Sequence, residues 1–140
     1  MTTLVKLPHG TPAWFEMVGG HMREAAAGAG LPPDLTISVV ERYIDGVALA
    51  DGLVQGLRFD IVSGKPTFRA GVGLDEQADI LIEITSSAAH RLNTLYSADP
   101  AYHEAIGAYL GSGEMRVQGD PSQLGDWLGT VHDPIVDRTL

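Results

Sequence analysis

Apolar positions change period several times along the chain, and each change marks an element. Thr11-Pro12 offers a helix N-cap with proline at the first helical position, and Trp14, Val18, Met22, Ala25 and Ala29 follow at helical spacing. The spacing predicts a helix from Pro12 to about Ala27, closed by Gly28, Gly30 and Pro32-Pro33. Gly19-Gly20 falls inside it. Each glycine costs about 1 kcal/mol relative to alanine, so a kink or early fraying is expected there.

From Leu35 the period drops to two: Leu35, Ile37 and Val39 alternate with Thr36 and Ser38, as in a half-buried strand. Asp45-Gly46 and Asp51-Gly52 are turn signals. Leu57, Phe59 and Ile61 then alternate with Arg58, Asp60 and Val62, and Ser63-Gly64 turns the chain into Lys65 to Val72, which predicts a hairpin. On the return strand Phe68, Ala70 and Val72 are expected on the side of Phe59. After the loop Asp75-Glu76-Gln77, Ile80, Ile82 and Ile84 form the apolar face of a fourth strand.

Helical spacing returns at Ser86, with Ala88, Leu92 and Leu95 in a helix reaching about Ser97. Asp99-Pro100 starts another, carrying Tyr102, Ile106 and Tyr109 on one stripe until Gly111-Ser112-Gly113 breaks it. Glu114 to Gln118 alternates as a short strand. Gly119 releases it into Asp120-Pro121-Ser122-Gln123, a cap with glutamine three residues on. A last helix is expected with Leu124, Trp127, Leu128 and Val131 on its apolar stripe and Pro134 beyond its end. Four strands between helices, then two helices, a strand and a helix, point to an α+β fold with helices segregated on one face of a sheet.

Composition narrows the function classes. At 140 residues the chain fits one domain. A chain of that size can bury about 68–70% of its unfolded surface without disulfide or metal staples. The absence of cysteine removes disulfides, thiolate nucleophiles and Cys-ligated zinc. With 9 Lys+Arg against 18 Asp+Glu the net charge is −9, and the basic residues are scattered singly from Lys6 to Arg138. Nucleic acid is therefore not an expected partner, and anionic membrane surfaces are disfavoured. Nothing approaches the run of about 18 apolar residues needed for a membrane span, and no signal-type N-terminus is present, so integral membrane association is not expected and the cytoplasm is the default location. The ending Arg138-Thr139-Leu140 is not the Ser-Lys-Leu address.

No catalytic signature emerges. The histidines at 9, 21, 90, 103 and 132 are not spaced as metal ligands, and His103-Glu104 lacks the second histidine of an HExxH site. His132-Asp133 could orient an imidazole, yet adjacent residues rarely point the same way. Gly71-Val72-Gly73 has Glu76 where a third glycine would be required, and Ser63-Gly64-Lys65 lacks the preceding Walker glycine, so both read as turns. Asp79 and Glu83 lie roughly 13 Å apart by strand rise, too far to share a proton, and read as wetting the outer face. What converges on one side is apolar: Phe59, Phe68, Ile82, Tyr102, Ile106, Met115, Trp127 and Leu128. Two readings stand, a filled core or a ligand cavity. No cofactor and no metal are expected.

From Gly56 to about Leu128 the chain resembles the sterol carrier protein type 2 domain, the nonspecific lipid-transfer or sterol-binding family. The matching stretches come in family order: the strand, glycine turn and strand "LRFDIVSGKPTF", then "EQADILIEIT" leading into the helix from Ser87 to Leu95. The most specific is "ADPAYHEAIGAYLGSGEMRVQGDPSQLGDWL", a short helix, a glycine-bounded strand and a terminal helix. Residues 1–50 match only in outline, Glu114 heads a short strand that is basic in the family, and residues 1–11 and 133–140 are expected as an N-terminal extension and a C-terminal tail.

The resemblance implies one domain with a mixed, mostly antiparallel sheet of about five strands, roofed by helices over an apolar tunnel for acyl chains, sterols or similar molecules. By position, Phe59, Ile61, Phe68, Ala70, Ile82, Ile84, Met115 and Val117 would form the cavity floor. Tyr102, Ile106, Leu124, Trp127 and Leu128 would form its helical wall. The expected function is non-catalytic binding of a hydrophobic small molecule. The alternatives are a small pocket enzyme of the isomerase or cyclase type, which a titrating His103 or a carboxylate buried beside a cavity would favour, and a filled-core interaction or dimerisation module. A monomer or weak homodimer is expected, and a partner enzyme is compatible.

Overall fold

A computed structural model of the chain describes residues 5–140. The first helix, α1 (Pro12–Gly28), begins as its sequence dictates, with the Trp14 amide donating to Thr11 Oγ1 at 3.3 Å and Pro12 in the first turn, where no amide donor is required. Strands β1 (Ile37–Tyr43), β2 (Val54–Val62), β3 (Lys65–Val72), β4 (Ile80–Ile84) and β5 (Met115–Gln118) form one sheet in the order β3-β2-β1-β4-β5. β1 is central and runs parallel to β4, and the other neighbouring pairs are antiparallel. The helices α2 (Ser86–Leu92), α3 (Pro100–Ser112) and α4 (His132–Asp137) complete a mostly antiparallel α+β domain.

The β2–β3 hairpin forms where expected. Ser63 and Gly64 both have positive φ, 51° and 76°, the pairing a tight turn needs to match strand twist. Register then aligns the inward residues: Phe59 faces Phe68 and Val39, while Glu41 is flanked by Leu57 and Ile82. One expectation fails at the end of β3. The β2–β3 register shifts between Val54 and Leu57, with Gly71 at φ 86°, and Val72 packs with Val40 and Leu81 in a separate small cluster.

The outer face is laced with ion pairs. Arg42 and Arg116 both reach Glu83, at 3.1 and 3.7 Å, and Arg58 bridges Asp60 and Glu76, each at 3.0 Å, while Arg69 also pairs with Glu76. Basic residues scattered in sequence are thus gathered on one sheet face and neutralised there. Asp79 is exposed to water and also accepts from the Ser38 amide at 2.9 Å.

The C-terminal region departs from the expected single helix. Leu124, Trp127 and Leu128 are spread over two 3-10 helices, Pro121–Leu124 and Asp126–Thr130, with Val131 at the junction before α4, because Gly125 between them adopts φ 120° and cannot continue a helix. Pro134 lies inside α4, in the first turn, where its missing donor costs nothing. The helix expected to reach Ser97 stops at Leu92, and the Asn93 side chain caps it by donating to the Ala89 carbonyl at 2.8 Å.

Residues 133–140 are built into the body. Ile135 and Val136 are buried, Trp14 donates its indole N–H to Thr139 Oγ1 at 2.9 Å, and Leu7 and Thr139 form a parallel bridge. Of the expected extension 1–11, residues 1–4 lie outside the described residues, while His9 bonds the Tyr43 hydroxyl at 2.8 Å.

Candidate functional site: an apolar cavity with one acid

Between the inner face of the sheet and the helices lies a partly enclosed cavity of about 240 Å³. Its floor is the centre of the sheet: Val39 and Glu41 from β1, Leu57 and Phe59 from β2, and Ile82 from β4. α1 covers it with Trp14, Phe15, Val18 and Met22, and the C-terminal segments with Leu124, Leu128, Val131, His132 and Ile135. Tyr102 of α3 and Asn93 complete the lining.

Of the residues expected to hold a ligand, Phe59, Ile82, Tyr102, Leu124 and Leu128 border this cavity. Ile61 and Ile84 are packed out of reach in the core. Phe68 lies under α1 against Gly19, with the Arg23 guanidinium 5.0 Å from its ring centre. Trp127 stands behind Phe59, ring centres 5.5 Å apart, and donates its indole N–H to the Leu124 carbonyl at 2.7 Å. Ile106, Met115 and Ala70 pack against the core from its margin, and Val117 is half-buried opposite Ile82.

Sequence reasoning missed the α1 residues and Glu41. The stripe Trp14, Val18 and Met22 was visible, but the resemblance began only at Gly56, so nothing assigned it to a site. For Glu41 the signal was parity: it follows Ile37 and Val39 at the same two-residue interval, so a strand running past Val39 must turn it inward.

The polar groups differ in how well they are satisfied. His132 Nε2 donates to the Leu95 carbonyl at 2.7 Å, and its ring lies 4.3 Å from that of Tyr102. Asp133 does not orient His132. Its carboxylate accepts from the Ser97 amide and hydroxyl at 2.8 and 2.9 Å, and these bonds hold its pKa below the ordinary range. Glu41 has neither a hydrogen bond nor an ion pair among the described residues, yet its oxygens are not sealed off, so the cavity is where they are open. Burial pushes its pKa up from 4.5 to about 7, because a charged carboxylate is poorly solvated among apolar walls. Burial, with the charge of Glu41 behind it, also raises the Tyr102 hydroxyl.

Among the described residues no cluster of three His, Cys, Asp or Glu is placed to hold a metal ion, and no helix is long and apolar enough to cross a membrane.

No protein-family model and no curated protein matches the chain. Solved structures do. The chain is similar to a crystal structure of sterol carrier protein 2, with 14% identity, 93% of this chain and 98% of that one covered, and a TM-score of 0.50. It is also similar to sterol carrier protein domain 2 of Helicoverpa armigera, at 12% identity, 97% of each chain and a TM-score of 0.46. A third is a stereoselective inverting sec-alkylsulfatase of Pseudomonas sp., at 19% identity and a TM-score of 0.47, with 85% of this chain covered. The chain spans only 16% of that protein's length.

Proposed function

We propose that this chain, which has the sterol carrier protein 2 fold, is a non-catalytic carrier whose cavity takes up a hydrophobic small molecule. One observation carries the reading: the centre of the sheet, where a filled core would be densest, is an apolar space walled by Phe59, Ile82 and the α1 residues. At about 240 Å³ it lies just under the roughly 300 Å³ typical of the smallest ligand sites, so a short chain or a single ring fits better than a sterol. Hiding about 200 Å² of hydrocarbon at about 25 cal/mol per Å² contributes about 5 kcal/mol, and the lost freedom of the ligand offsets much of it. Residues 5–140 act as one carrier domain in this reading, in the cytoplasm, with the ligand as the principal partner.

Native mass spectrometry of freshly purified protein, followed by organic extraction, tests it. A stoichiometric hydrophobic adduct is expected. A bare mass together with no saturable binding of short alkyl probes sinks the reading and favours a filled, partner-docking domain.

A second reading, a small pocket enzyme, has one observation in its favour: Glu41 is a carboxyl with a pKa near 7 in an apolar space, the setting in which an acid can exchange protons with a bound substrate. Loss of solvent-hydrogen exchange into a bound ketone on Glu41→Gln, with ketone binding retained, would favour it.

A further inference from the structure

The middle strand of the sheet puts one acid between apolar cross-strand neighbours, in a space whose other polar lining groups are Asn93, Tyr102 and His132. Glu41 faces inward from β1 with Leu57 and Ile82 as its register partners on either side. Among the described residues titratable groups approach from three places: Tyr43 on its own strand, Tyr102 on α3 and His132 at the start of α4. β2 and β4 bring none into the cavity, and α1 covers it with Trp14, Phe15, Val18 and Met22. Among the described residues no lysine or arginine lines the space, and His132 already gives its Nε2 proton to Leu95.

A carboxyl with open oxygens and no partner in an apolar enclosure is costly to keep charged unless something supplies donors. Sheet register fixes Glu41 there, and among the described residues no side chain lining the space supplies a cation. The donor set that satisfies it best is therefore one that arrives with the ligand.

We infer that the cavity is selective for a short hydrophobic amine, whose ammonium group donates to Glu41 while its hydrocarbon lies between α1 and the strand centre. Tyr102, whose hydroxyl has no hydrogen bond among the described residues, stands beside the same space as a second polar group for that head. Charge complementarity works the same way over longer range, because the chain carries a net charge of −9 and attracts cationic amphiphiles while repelling anionic ones. A fatty-acid carboxylate would meet Glu41 as a like charge, so the inference sets this cavity against anionic chains. It rests on the carrier reading and sharpens it.

The test compares octylamine, octanol and octanoate by titration calorimetry on the wild-type chain and on Glu41→Gln, with Glu41→Leu as a second variant and thermal melts confirming that each folds. Octylamine is expected to bind about tenfold or more tighter than octanol, the scale of one charge-assisted hydrogen bond, and octanoate weakest of the three. Both variants should abolish the preference for octylamine over octanol, with the two probes compared on the same variant. Octylamine affinity should also rise from about pH 5 to about pH 8 in the wild type, as the carboxyl sheds its proton, and stay flat in Glu41→Gln. Equal binding of amine and alcohol, tightest binding of octanoate, or an amine preference that survives Glu41→Gln would overturn the inference while leaving the carrier reading intact. If none of the three probes binds saturably, the carrier reading itself fails and the inference falls with it.

Discussion

His9 Nε2 and the Tyr43 hydroxyl meet at 2.8 Å, tying the segment before α1 to the end of the central strand. The imidazole is also stacked on His90, ring centres 4.9 Å apart, and sits edge-on to Trp14 at 4.6 Å. Burial, and secondarily the charge of His90, push the His9 pKa down from 6.5 to about 4. The unfolded chain therefore takes up a proton near pH 6.5 that the folded chain accepts only near 4, so this group lowers stability as pH falls through that window. Urea unfolding of His9→Phe should lose this acid-side decline. At neutral pH the variant should cost about 1 kcal/mol, since Tyr43 loses its bond.

Glu41 acts in the opposite direction. Folded, it keeps its proton up to about pH 7, whereas the unfolded chain releases it near 4.5, so its contribution to stability falls as pH rises between those values and is flat above. Glu41→Gln should leave stability at about pH 5 nearly unchanged and raise it at about pH 8 by up to about 3 kcal/mol. Because the His9 and Glu41 windows overlap, the wild-type profile should be shallow there. In the Glu41→Gln background the His9 slope should stand out, and in His9→Phe the Glu41 slope.

Gly19 and Gly20 separate two roles of helix glycine. A Cβ at Gly19 would run into the Phe68 ring, whereas at Gly20 it would meet nothing within 4 Å. Gly20→Ala should therefore stabilise the protein by up to about 1 kcal/mol through helix propensity alone. Gly19→Ala should destabilise it by about 1 to 3 kcal/mol, because Phe68 must leave its place under α1. Thermal melts of the pair check this, and equal effects at the two positions would refute the packing role assigned to Gly19.

How much was legible in the sequence follows from which forces are local. The β2–β3 hairpin, the caps at Thr11 and Asp99 and the alternation of Ile80, Ile82 and Ile84 depend on neighbours a few residues away, and each is found as read. The last helix was misread because Leu124, Trp127, Leu128 and Val131 have helical spacing, while the backbone of Gly125 overrides it. The face of Val72 depended on a bulge that alternation alone does not reveal. In the cavity, Phe59 and Ile82 could be named from strand parity, but the cover from α1 is a tertiary fact. Glu41 was readable in principle, had the first strand been carried past Val39 to Tyr43.

The most direct measurement is a titration of the protein with octanol, followed through the joint fluorescence of Trp14, which lines the cavity, and Trp127, which stands behind Phe59, beside a Val39→Phe variant in which the floor is filled. One-to-one saturable binding is expected in the wild type and none in Val39→Phe, provided thermal melts place the variant within about 3 kcal/mol of the parent. Binding that persists unchanged in the filled variant, or no binding in either, would show that the space under α1 is not a ligand site.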